Sequence, residues 1–115
     1  MAEEAQRYWS LDTARAIVGE VRRRTAEAVE AIDALEARRA EVAADDPGRA
    51  ALDQQLTRAV GGWVRAMEAL GVEVKGPWLV DFDNGRGHYC WRWPEERLEY
   101  FHGYDEGFAG RVRIQ

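Results

Sequence analysis

From Leu11 to Val42 apolar and small side chains return every three or four residues, with no proline to interrupt them. Placing Leu11, Val18, Thr25, Ile32 and Arg39 at one seam position puts Ala14, Val21, Ala28, Leu35 and Val42 at the other, the pattern of one long amphipathic helix. The pattern predicts a helix over 11–44, with Ser10 as N-cap, Asp12 in the first turn, and Arg38 and Arg39 at the negative end of the dipole. A stripe of that length constrains the rest of the chain, because every turn of it has to be covered.

The stretch ADDPGRA breaks the pattern, with Asp46 as N-cap and Pro47 at the first position of a second helix predicted over 47–70. Its seam reads Leu52, Leu56, Ala59 or Val60, Trp63, Met67 and Leu70, and Gly71 suits a left-handed C-cap. The two helices form an antiparallel hairpin. At ~1.5 Å per residue the first outruns the second by about 16 Å. Leu11, Ala14, Val18 and Val21 therefore need another partner, either the C-terminal sheet or a second copy of the chain. Gly61-Gly62 costs the second helix roughly 1–2 kcal/mol relative to an alanine pair, so it marks a close approach, a bend or a tolerated defect.

After Gly71 the period changes from helical to alternating, and nine aromatic residues follow where only Tyr8, Trp9 and Trp63 preceded. PWLVDFDNGRGHYCWRW reads as two strands around Asn84-Gly85, and LEYFH as a third beyond the loop Pro94 to Arg97. A two-residue turn would set Asp81 opposite His88 and Val80 opposite Tyr89, and a four-residue loop would set Arg92 opposite Glu99, Trp91 opposite Tyr100 and Tyr89 opposite His102. One face then holds Trp78, Val80, Phe82, Tyr89, Trp91, Trp93, Leu98 and Tyr100, with His102 at its rim, and must lie on the helices. The other holds Leu79, Asp81, His88, Cys90, Arg92, Glu99 and Phe101, and a one-residue slip would exchange such assignments. The expected fold is α+β, a single domain in which a long antiparallel helical hairpin is followed by a small three-stranded antiparallel meander packed on the helices.

A net charge of −5, spread over both halves, argues against a nucleic-acid or anionic-membrane partner. Cys90 is the only cysteine, so no internal disulfide forms, and no apolar run has the length of a signal segment or a membrane span. A cytoplasmic location is expected.

The stretches LVDF, CWR, EYFH and GFAGR, together with the helix start SLDTA and helix exit LGVEVK, resemble the prokaryotic family catalogued as domain of unknown function 2203. The motif positions include Asp81, Cys90, Arg92, Glu95, Tyr100, His102, Asp105, Phe108 and Arg111, over nearly the whole chain. The chain departs from that pattern at Pro94, where glycine is common, at Phe101, which replaces a tryptophan, and at Gly103, where an acidic residue is common. The resemblance implies no activity.

Cys90 as a nucleophile would need an imidazole in contact, and neither His88 nor His102 is so placed in this register, so a buried structural thiol is expected. A metal site drawing on Asp81, His88, Glu99 and Cys90 finds no Cys/His or His-x-x-His spacing, and neither metal nor cofactor is expected. Arg92 and Glu99 read as a cross-strand ion pair, with an anionic ligand for Arg92 as the alternative. GYDEGFAGR reads as an ordered terminal turn, or as a cradle for an anion beside Arg111. His102 closes the aromatic face, with Asp105 as an orienting acceptor. The candidate ligand- or partner-binding set is Arg92, His102, Asp105, Arg111 and Asp81.

Two functions compete on these grounds. The first is a non-enzymatic interaction or accessory protein, a homodimer through the exposed seam of the long helix, with a protein partner. The second is a small-molecule, anion or metal-binding protein, enzymatic or not, using polar residues of the sheet and tail. Convergence of Arg92, His102 and Arg111 on a cavity would favour the second. The dimer expectation is checked by native mass at micromolar concentration, where a monomer rejects it.

Overall fold

A computed structural model describes residues 8–115. Ser10 opens the first helix, α1 (Leu11–Ala40), through a capping box: its hydroxyl accepts from the Thr13 N–H, and the Thr13 hydroxyl accepts from the Ser10 N–H, both at 3.0 Å. The helix ends four residues before the predicted 44, because the reversal toward Pro47 begins at Glu41. Glu41 and Val42 donate back to the carbonyls of Arg38 and Arg39, and the Arg49 guanidinium donates to the Val42 carbonyl. The second helix, α2 (Gly48–Leu70), has Pro47 at the N-cap position rather than inside the first turn. Asp46 still serves the helix start, accepting from the Gly48 N–H at 2.7 Å. Gly71 closes α2 at φ 89°, a left-handed conformation that glycine adopts without steric cost.

Five strands follow in a meander: β1 (Glu73–Gly76), β2 (Leu79–Asp83), β3 (Gly87–Arg92), β4 (Tyr100–Gly103) and β5 (Val112–Arg113), each antiparallel to its neighbour in the order β1-β2-β3-β4-β5. The sheet thus has two strands more than the three expected. β1 leaves the α2 C-cap almost directly, and β5 is two residues long, so neither carries enough alternation to be read locally.

Two registers differ from expectation. β2 pairs with β3 as Asp81↔Cys90 and Val80↔Trp91, because the hairpin loop spans Asn84 to Gly87, with the Asn84 side chain accepting from the N–H groups of Arg86 and Gly87. A shift of two positions keeps every side chain on its expected face. β3 pairs with β4 as His88↔His102 and Cys90↔Tyr100, one residue from the expected alignment, and this reverses the faces of β4. The cause is the connection from Trp93 to Glu99. Leu98 is buried, but it lies in that irregular segment and not in the strand, so the alternation cannot be carried from Leu98 into Tyr100.

The helix-facing side of the sheet carries Val80, Phe82 and Trp91 into one buried cluster with Ala14, Val18 and Val21 of α1, Trp63 and Met67 of α2, Val72 and Leu98. Thr25, on the predicted seam, is fully buried, where its hydroxyl donates to the Val21 carbonyl and accepts from the Trp63 indole N–H at 2.8 Å. Trp78, in the turn joining β1 to β2, has φ 61° and sets its ring 4.8 Å from that of Trp63, edge to face. Arg15 of α1 donates to the Leu98 carbonyl, and Trp9 donates its backbone N–H to Asp83 and its indole N–H to Gly71.

The overshooting part of α1 is therefore covered by the chain's own sheet. Ala14 and Val21 have no exposed surface and Val18 only 9 %, so the seam that grounded the homodimer is interior. Among the described residues no helix is long and apolar enough to cross a membrane. Replacing Val18 or Val21 with Glu is expected to destabilise the monomer by about 3 kcal/mol or more through an unpaired buried charge. Thermal melting with native mass checks this: dissociation of a dimer into a folded monomer is the opposing result.

Candidate functional site

The face of the sheet turned away from the helices is built by strand alternation. Asp81 of β2, His88 and Cys90 of β3, and His102 of β4 project to it, and all four are buried. The tail supplies the cover. Tyr104, Glu106, Gly107 and Phe108 join Lys75, Leu79 and these four residues around a pocket of about 230 Å³.

His102 is held through both ring nitrogens and His88 through one. His102 Nδ1 is 2.9 Å from the Gly103 carbonyl, which can only accept, so Nδ1 carries a proton. His102 Nε2 lies 2.9 Å from Asp81 Oδ2, reaching past β3 to the strand beyond it. His88 Nε2 lies 3.4 Å from a Glu73 carboxylate oxygen, and its ring centroid is 5.3 Å from that of His102. The two remaining polar atoms, Asp81 Oδ1 and His88 Nδ1, are buried without a hydrogen-bond partner. One donor atom from each of Asp81, His88 and His102 lies within 4.8 Å of the others. A second group, Glu73, Asp83 and His88, adjoins it and is less buried.

The edge of the site is fixed by Tyr104, whose hydroxyl donates to Asp83 at 2.6 Å and whose ring meets His88 edge to face. Burial pushes the Asp83 carboxyl up, but the bonds from Tyr104 and the Gly85 N–H, with the nearby His88 ring and the Lys75 charge, outweigh it and hold the group below its ordinary value. Burial pushes the Cys90 thiol up to about 12, reinforced by the Asp81 carboxylate beside it, while Arg111 opposes the shift. Cys90 is thus the structural thiol expected, with no thiolate to act as nucleophile near neutral pH.

The structure separates the sequence-derived candidates. Asp81 and His102 come together. Asp105 is exposed, and Asp81 instead of Asp105 faces the His102 ring, because the one-residue slip moves His102 from the aromatic rim to the outer face. Arg92 does not pair with Glu99: it is exposed, its guanidinium sits 5.2 Å from the Phe108 ring centroid, and Glu99 binds Arg113. Arg111 lies between the rings of Tyr100 and Phe108, at 4.0 and 4.1 Å from their centroids, and forms an ion pair with Glu95 at 2.8 Å. Burial works against its charge, yet Glu95 prevails and the Arg111 pKa is raised. Arg92, His102 and Arg111 therefore do not converge on one cavity. His88 is the residue that the sequence reading set aside. Its signal was its place on the outer face with Asp81, lost when His102 was assigned to the opposite face.

A family model described as "Uncharacterized conserved protein (DUF2203)" matches residues 7–114. No curated protein and no solved structure matches the chain.

With its pKa raised, Cys90 contributes stability as a neutral thiol that is fully present below the ordinary value of 9.0 and lost as pH rises toward about 12. Alkylation by iodoacetamide at pH 8.5, followed by mass spectrometry, is expected to be slow in the folded protein and rapid in urea. Equal rates in both states would contradict the burial argument.

Proposed function

The chain belongs to the uncharacterized family DUF2203, so no activity comes with its membership, and we propose from its geometry that it is a binding protein whose site is the pocket on the outer face of the sheet. The observation that carries this reading is the pair of unpartnered buried atoms, Asp81 Oδ1 and His88 Nδ1, on one polar pocket. An unpaired buried polar atom costs about 1–3 kcal/mol, and most such atoms in folded proteins have partners. Two in one pocket mark groups kept for something that binds there. With His88 Nε2 turned to the Glu73 carboxylate, both orphan atoms are acceptors, so the ligand brings donors or positive charge.

The reading predicts a divergence between stability and binding. His88→Phe removes an orphan nitrogen while keeping an aromatic ring, and is expected to hold the melting temperature or raise stability by up to about 1 kcal/mol. In the wild-type protein, imidazole NMR signals of His88 and His102 are expected to shift together on titration with at least one of ammonium, guanidinium or a divalent cation, and His88→Phe to abolish the His102 response. A loss of more than about 2 kcal/mol in His88→Phe, with no probe moving either ring, would make the cluster structural.

A further inference from the structure

Resting on that reading, we propose that the ligand of the pocket is a divalent transition-metal ion held by Asp81, His88 and His102. The buried trio offers two imidazole nitrogens and one carboxylate oxygen from three adjacent strands, with the remaining positions open to the pocket. That donor set suits Zn2+, Fe2+ or Co2+, whereas Mg2+ and Ca2+ prefer oxygen alone.

Three details support a metal over another cation. The first is the fixing of each ring by its outer nitrogen: His102 Nδ1–H donates to the Gly103 carbonyl, and His88 Nε2 faces the Glu73 carboxylate. This is how metal-ligating histidines are oriented, with the inner nitrogen left for the ion. Secondly, His102 Nε2 and Asp81 Oδ2 stand 2.9 Å apart, close enough to share one ion, since adjacent ligands on ~2.1 Å bonds lie roughly 3.0 Å apart at right angles and about 3.4 Å apart at the tetrahedral angle. An unprotonated Nε2 and a carboxylate oxygen repel at that distance, so either a proton or a cation has to accompany them. Thirdly, the unpartnered atoms are Asp81 Oδ1 and His88 Nδ1, from the two ligands that the His102 contact leaves unsatisfied. Cys90 is not in the group, which keeps the site free of a thiolate. The sequence spacing gave no sign of a metal because the three ligands come from strands joined by loops of unequal length.

The test is titration of chelator-treated full-length protein with Co2+ and Zn2+, read by native mass spectrometry, calorimetry and, for Co2+, visible absorption. One equivalent is expected to bind. Binding is expected to weaken at least about 100-fold in His88→Phe and His102→Ala, and about 10-fold or more in Glu73→Gln, which removes a positioning carboxylate. Asp53→Asn, on the exposed face of α2 where it pairs with Arg39, is expected to leave affinity unchanged. A variant-independent readout guards against misfolding: in wild-type protein, Co2+ should produce hyperfine-shifted resonances from the rings of both His88 and His102. The proposal is overturned if no metal binds, if binding survives His88→Phe and His102→Ala, if Mg2+ or Ca2+ competes equally, or if Asp83→Asn abolishes binding while His102→Ala does not. Absence of metal binding with the imidazoles still responding to ammonium or guanidinium leaves the ligand-binding reading standing. Absence of every response removes both.

Discussion

The burial of α1 beneath the aromatic face of the sheet is the contact on which the rest of the protein depends. A helix of 30 residues beside one of 23 leaves two turns of apolar stripe that α2 cannot cover. Ala14, Val18 and Val21 find Val80, Phe82, Trp91 and Leu98 instead, and the hairpin and meander thereby share one core. The side chains are matched in size: a small residue and two valines on the helix accept the flat, large surfaces of Phe82 and Trp91. Polar ends of the aromatic residues are satisfied at the margins, Trp63 by Thr25 and Trp91 by the Glu95 carbonyl.

Fixing one face of the sheet determines what the other can present. Because alternate residues of β2 and β3 are committed to the core, Asp81, His88 and Cys90 are turned outward together. Gly87 then governs how near β4 can come. A side-chain carbon there would lie 2.5 Å from the His102 carbonyl oxygen and 2.9 Å from the Phe101 ring, so only glycine allows this approach. Its absent side chain is part of how His102 reaches Asp81.

The tail converts that face from an open surface into a pocket. Arg111, held between Tyr100 and Phe108 and bound to Glu95, ties the segment after Gly107 to the sheet. Tyr104 and Glu106 tie the segment before it, through Asp83 and the Gly103 N–H. The two arginines of the tail, Arg111 and Arg113, thus have a structural use: their guanidinium groups stack on aromatic rings and bind carboxylates in the same geometry. Arg111, read from sequence as an anion ligand, already has its anion in Glu95.

What the sequence determined by itself is what local chemistry controls. The Ser10 cap of α1 and its seam as far as Ile32, the Gly71 exit of α2, the place though not the length of the reversal at Asn84-Gly85, and the two faces of β2 and β3 were legible, since each follows from periodicity or from a residue's backbone and hydrogen-bonding preferences. Cys90, expected to be buried from its residue type, lies on the outer face by the same alternation and is covered there by the tail. Tertiary structure alone decided the partner of the overshooting helix, the two short outer strands and the register of β4. Phase is lost across the irregular segment from Trp93 to Glu99, and a single residue of uncertainty there places His102 on either side of the sheet. The meeting of Asp81, His88 and His102 depends on that one residue, because side-chain direction in a strand has period two and carries no memory through a loop.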